Sequence, residues 1–299
     1  MARVVGVYAL VLVCVGSAFV FGALSWAYSR HSAVLIYSSE YLPSFGREIL
    51  QLDFLTQQTH VLIPSAVSGY AWSPNGMMLA YETRYTSGMS SNIETHVNIE
   101  IADWKGNLIS TIAGAGLVSS PHWLDDNRTI VFLSSSDLGS EIYSVDVNNP
   151  NHWYLFTQIQ GNYVIDYVSV SPDSRMIAFT VVPSGVFILD RENGNVEQIA
   201  HNGFKPTWSP DGERIAFWAF NEVRNLDIYV FNVVDRMGLQ LTNHDAAEFE
   251  PAWSPDGSQI AFVSDRDGDY EIFVMNANGT NVRQVTFNDV NDTDPAWIP

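Results

Sequence analysis

From about residue 34 onward, apolar and polar residues alternate over runs of five to seven positions, and clusters of Pro, Asp, Asn, Ser and Gly break the runs. Period-two alternation in segments rich in β-branched and aromatic residues predicts strands with one buried face, separated by turns. The strongest unit is Trp253-Ser-Pro-Asp-Gly257 followed by Ile260-Ala-Phe262. Close copies stand at Trp208 with Ile215-Ala-Phe217 and at Trp72 with Leu79-Ala-Tyr81. Looser ones stand at Val170 with Ile177-Ala-Phe179 and at Trp123 with Ile130-Val-Phe132. In all five the triplet starts seven residues after the anchor, and a constant offset of this kind marks a repeat architecture. Each copy continues into a strand ending in Asp or Asn, such as Glu271-Ile-Phe-Val-Met-Asn276, and then a weaker fourth strand such as Val282-Arg-Gln-Val-Thr286.

The unit is therefore a blade of four short strands. Ser-Pro-Asp-Gly is its first turn: Pro presets φ, Asp bonds to nearby backbone, and Gly takes the positive φ that closes a hairpin. The bulky anchor Trp is expected to pack between adjacent sheets. Asp294-Pro-Ala-Trp-Ile-Pro299 repeats Glu250-Pro-Ala-Trp-Ser-Pro255 and then stops, which gives a first strand without successors. Val34–Tyr37 and Glu48–Asp53 are a second and third strand without a first. Anchors at 72, 123, 170, 208, 253 and 297 predict an all-β, six-bladed β-propeller of four-stranded blades over residues 32–299. The C-terminal strand is expected to pair into the N-terminal blade, which removes two exposed sheet edges.

Residues 1–31 break the alternation. The 26 residues between Arg3 and Arg30 carry no charge and end in Trp26 and Tyr28. As a helix this run reaches about 39 Å at about 1.5 Å per residue, enough for the roughly 30 Å of a bilayer core. The reading is one N-terminal transmembrane helix that leaves the propeller outside the cytoplasm. Cleavage near Ala27, after Ser25-Trp26-Ala27, is the alternative and would give a secreted or periplasmic protein.

Trp-Ser-Pro-Asp-Gly, Ile-Ala-Phe and Ser264-Asp-Arg-Asp-Gly-Asp-Tyr-Glu-Ile-Phe-Val-Met-Asn276 resemble the propeller repeats of the TolB family, over roughly residues 32–299. The resemblance implies a bacterial envelope setting and makes binding of a protein or peptide partner the leading function. TolB proteins carry an α/β domain before the propeller, which this sequence is expected to lack. Similar repeats also occur in prolyl-oligopeptidase-like peptidases and oligogalacturonate lyases, so the fold alone does not decide activity.

Composition narrows the choice further. The formal net charge is −19 and only two lysines exist, Lys105 and Lys205, so no basic stripe is available for nucleic acid. Beyond Arg30 stand 12 basic residues (14 less Arg3 and Arg30) against 33 acidic ones. Cys14 is the only cysteine and lies in the apolar run, which excludes disulfides and a cysteine nucleophile in the propeller. No G-x-S-x-G elbow, H-E-x-x-H helix or phosphate loop occurs, and the seven histidines lack metal-ligand spacing. No catalytic residue, metal or cofactor is therefore expected. Asp265-Arg-Asp267-Gly-Asp269-Tyr-Glu271 has carboxylates suited to a hard cation, but not the EF-hand spacing. The plainer reading is a hairpin with solvated acids.

Position supplies the functional expectation. Three residues before each anchor stand Gly69, Ser120, Tyr167, Lys205, Glu250 and Asp294, and these equivalent sites should ring one mouth of the central channel. The partner-binding residues expected there are Tyr167, Lys205, His244, Glu250 and Asp294, with His244 added from a nearby loop. The plainer reading is that the rim charges pair with one another. The alternative function is a hydrolase or lyase using an axial metal or carboxylates in the channel, and a structural spacer is a third.

Overall fold

The computed structural model describes residues 34–40, 47–54, 56–66, 69–87, 94–113, 117–136, 139–157 and 164–299. Every regular element among them is a strand, 24 in all. The expected anchor at 1–31 lies outside the described residues, and no helix among those described is long and apolar enough to cross a membrane.

Strands β1 (Val34–Glu40), β2 (Arg47–Asp53) and β3 (Gln58–Ala66) form one sheet, completed at its inner side by β24 (Asp292–Trp297). Three further four-stranded sheets follow chain order: β12 (Ile165–Val170) to β15 (Val196–His201), β16 (Gly203–Trp208) to β19 (Met237–Gln240), and β20 (Glu248–Trp253) to β23 (Arg283–Gln284). The remaining strands are β4 (Tyr70–Trp72) to β7 (Leu108–Ala113) and β8 (Leu117–Trp123) to β11 (Trp153–Thr157). They make two antiparallel quartets joined into an eight-stranded sheet by the single parallel pair Val97↔Leu117.

The repeat motif does the local work the sequence predicts. The Ser254 hydroxyl donates to Asp256 at 2.7 Å and accepts the Gln259 amide at 2.9 Å, while Gly257 takes φ +68°. The anchors Trp72, Trp123, Trp208, Trp253 and Trp297 are all buried. Three of them bond to the quartet of strands before their own, each to the residue preceding the anchor there. Trp123 Nε1 donates to the Ala71 carbonyl at 2.9 Å, Trp208 Nε1 to Ser169 at 3.2 Å, and Trp297 Nε1 to Ala252 at 3.1 Å. The indole thus both fills the gap between sheets and fixes their spacing.

The two ends of the described chain meet in one sheet. β24 runs antiparallel to β1, with Leu35 opposite Trp297 and Ser39 opposite Asp292, and the Ile298 amide donates to Val34 at 3.0 Å. Leu35, Tyr37 and Trp297 pack against Val263, Ile272 and Val274 of the preceding sheet. Ile36 and Ile49 pack against Leu79 and Tyr81 of the following one. Apolar burial on both sides therefore holds the seam without a covalent lock.

Candidate functional site

Five of the six innermost strands break their ladder near the start of the strand. Register shifts fall between Ser119 and His122, Ile165 and Tyr167, Phe204 and Thr207, and Phe249 and Ala252, with another where β24 meets β1. At four of these bulges Ser120, Lys205, Glu250 and Asp294 take φ between +44° and +55°, and Gly69, just before β4, takes +65°. A bulge re-aims the side chain at its extra residue. Ser120, Lys205, Glu250 and Asp294 are each followed by Pro, which has no N–H to leave unpaired where the ladder opens.

The result is convergence. All six positions three residues before the anchors line one cavity of about 240 Å³, together with Tyr70, Glu82 and Asp166. Lys205 Nζ donates to Glu250 Oε1 and, at 3.0 Å, to Asp294 Oδ1. The Asp294 amide donates to Glu250 Oε2 at 2.7 Å, and Arg47 reaches Asp294 Oδ2 at 3.2 Å. Tyr70 OH donates to the Asp294 carbonyl. Opposite this group, Glu82 Oε1 accepts the bulge amide of Ser120 at 2.8 Å. Gly69 has no side chain for a steric reason: a Cβ there would sit 2.2 Å from Glu82 Oε1.

Burial and pairing set the protonation states. Burial works against the Lys205 ammonium, yet the charges of Asp294 and Glu250 hold its pKa above the ordinary lysine value. Burial also opposes the Asp294 carboxylate, but Lys205 and then Arg47 keep it below the usual range. Glu250 is raised by burial and by Asp294, with Lys205 relieving only part of this. Burial pushes Glu82 up to about 8, the Ser120 amide offsetting part of the shift. A lysine clamped between two carboxylates is a poor nucleophile or base, so this geometry suits recognition better than proton transfer.

Tyr167, Lys205, Glu250 and Asp294 therefore stand together at the cavity. His244 does not line it. Its exposed ring accepts the Ala246 amide at 3.0 Å and its carbonyl accepts from Asn225, so it serves its own loop. The repeat count that finds the rim positions does not reach Glu82. It stands ten residues after Trp72, where the other anchors are followed by Leu133, Thr180, Trp218 and Val263. A carboxylate in that row is the signal that marks it.

Residues 159–299 match the sequence profile of the TolB beta propeller domain. TolB from Acinetobacter baumannii superposes with a TM-score of 0.69 at 19% identity, over 89% of this chain and 67% of that one. Putative TolB from Agrobacterium tumefaciens gives 0.62 at 16% identity, over 90% of this chain and 98% of that one. The fold is a TolB-like β-propeller. Its architecture is not confined to TolB: hydrazine synthase from Kuenenia stuttgartiensis gives 0.66 at 13% identity, over 91% of this chain and 48% of that one. Dipeptidyl-peptidase 5 of Porphyromonas gingivalis is 34% identical to this TolB-like propeller over 145 residues, 45% of this chain. The chain spans about a fifth of that curated relative's length, 21%.

Proposed function

We propose that this chain is a membrane-tethered, extracytoplasmic propeller of six blades that binds a protein or peptide of the cell envelope at one channel mouth and performs no chemistry itself. The six blades are the four separate sheets and the two quartets of the eight-stranded sheet. The TolB-like fold supports a protein-binding module with an envelope location. The anchor is assigned to residues 1–31 and the propeller to 32–299.

The observation that carries the reading is the convergence of six repeat-equivalent positions on one polar cavity. Its lining holds four carboxyls, Glu82, Asp166, Glu250 and Asp294, and one ammonium, Lys205. Exposed apolar side chains stand on loops and strand ends at the same end of the sheets: Val164, Val182, Phe220, Val223 and Phe287. An apolar surround about a polar centre is what a docking face requires. A photo-crosslinking residue in place of Asp166, exposed on the cavity lining, tests this in cells making the full-length protein. A discrete protein adduct there, absent when the crosslinker replaces Trp104 on the outer surface, is the expected outcome. Equal labelling at both sites refutes the assignment.

A second reading, a hydrolase or lyase using the cavity carboxyls, rests on the likeness to dipeptidyl-peptidase 5. Peptide turnover that is lost in both Glu82→Gln and Glu250→Gln, with folding intact, would favour it.

A further inference from the structure

The end of the propeller remote from the cavity receives the chain from its N-terminal segment. β24 runs from the cavity, which Asp294 lines, to Trp297, and β1 lies antiparallel to it with Leu35 opposite Trp297 and Ser39 opposite Asp292. Val34 therefore enters the sheet at the far end, where its carbonyl accepts the Ile298 amide at 3.0 Å. At about 3.3 Å per residue the six residues of β24 separate the two ends by about 20 Å.

Two turns of the following quartet crowd this entry point. The turn after Trp72 packs on the end of β24, so that a Cβ on Gly76 would lie 3.2 Å from the Pro299 carbonyl oxygen. The turn between β6 (Glu94–Asp103) and β7 packs on β3, and a Cβ on Gly106 would lie 2.4 Å from the Leu62 carbonyl oxygen. Met77 and Trp104 stand on these turns, 38% and 50% exposed, and the Trp104 amide donates to the Met77 carbonyl at 3.1 Å. Lys105 Nζ lies 4.9 Å from the centre of the Trp104 ring. The repeat supplies an internal comparison. At the place of Met77 the other copies carry Arg128, Arg175, Glu213 and Ser258, all polar. At the place of Trp104 they carry Val147, Arg191, Val233 and Ala277, none aromatic, while Phe54 of the seam sheet stacks on Trp297. The exposed indole and thioether thus occur beside the point where the chain enters, and a turn facing only water has no need of them. Indole rings favour the headgroup layer of a bilayer, and a lysine beside them covers apolar surface with its stem while its ammonium reaches polar groups.

We propose that the turn end of the propeller rests on a lipid bilayer, with Met77, Trp104 and Lys105 in the headgroup layer, and that the cavity opens away from that bilayer. The proposal rests on the anchor assigned above to residues 1–31. Residues 31–33 separate Arg30 from Val34 and reach at most about 14 Å when fully extended. That is less than the roughly 20 Å length of a strand such as β24, so the tether is too short for the propeller to turn its cavity to the same membrane. A partner at the cavity then arrives from solution or from a facing membrane.

The test uses full-length protein reconstituted into vesicles of phosphatidylcholine and phosphatidylglycerol. In a Cys14→Ala background one dye-labelled cysteine is introduced at a time: Met77→Cys or Trp104→Cys at the turn end, and Val223→Cys, 83% exposed, at the cavity end. A lipid carrying a nitroxide on its headgroup should remove most of the dye emission at 77 and 104 and little of it at 223. Flotation with the vesicles is read on the same samples. Protein that fails to float refutes the anchor and the orientation with it. Protein that floats but is quenched equally at 223, or not at 104, overturns the orientation alone. A dye at 104 that is shielded from water yet untouched by the nitroxide lipid would put a protein on this surface, and that also overturns the proposal.

Discussion

Lys205 and Glu250 occupy the same position in successive repeats, 45 residues apart, and their side chains bond to each other across the cavity wall. Two bulges at equivalent points of adjacent sheets bring an ammonium and a carboxylate to one place, and a third bulge adds Asp294 at 3.0 Å. The rim is thus a cross-sheet tie as well as a surface.

Removing the cation from this tie leaves two poorly solvated carboxylates. Breaking a fully buried pair from one side typically costs about 3–5 kcal/mol. The Lys205 side chain is 32% exposed, so Lys205→Met is expected to cost less, about 1–3 kcal/mol in urea unfolding. Lys205→Met combined with Glu250→Gln should recover part of the loss, because one of the stranded charges is gone.

Glu82 gives the molecule a pH dependence whose sign is fixed. Its folded pKa of about 8 exceeds the ordinary 4.5, so between those values the folded chain holds a proton the unfolded chain has released. Stability from this group is therefore present below pH 4.5 and lost as pH rises to about 8. Thermal unfolding across that window should show Glu82→Gln with a flatter decline than wild type, since Gln still accepts the Ser120 amide. Equal slopes would contradict the assignment. Asp294, whose pKa is lowered, acts in the opposite direction and only at more acid pH.

Gly69 and Gly194 separate space from backbone conformation. Both have positive φ, +65° and +72°, but a Cβ on Gly194 would meet nothing within 4 Å. Gly194→Ala should cost about 1–2 kcal/mol, the price of the left-handed conformation. Gly69→Ala should cost clearly more, because its Cβ must displace Glu82, and it should also reduce the pH dependence of unfolding.

Much of the fold was legible because Trp-Ser-Pro-Asp-Gly and Ile-Ala-Phe keep a constant offset, which fixes both strand order and the rim positions. Counting three residues back from each anchor found Lys205, Glu250 and Asp294 because the bulge recurs at that point. Position relative to a repeat does not report a partner from a distant strand. Arg47 meets Asp294 across 247 residues, and Glu82 reaches Ser120 from the second strand of the neighbouring quartet. His244, near the rim in sequence, is outside the cavity lining, and its ring accepts the Ala246 amide of its own loop.

Trp297 should carry a large share of the seam's stability. It stacks on Phe54 at 5.7 Å, bonds Ala252 and is buried. Trp297→Ala is expected to cost about 3–5 kcal/mol, read by denaturant unfolding, while Trp104→Ala, half exposed on the outer surface, should change stability little.

Cavity and rim both depend on β24 closing the sheet begun by β1. Ser38 and Thr293 face each other across that pair, and Cys14 is the only native cysteine. In a Cys14→Ala background, Ser38→Cys with Thr293→Cys should form an intramolecular disulfide under mild oxidation. Closing a loop of 255 residues should then raise stability by up to about 5.5 kcal/mol over the reduced protein. Thiols that stay free, or that link only between molecules, would show that the two ends do not meet and would contradict the closed ring.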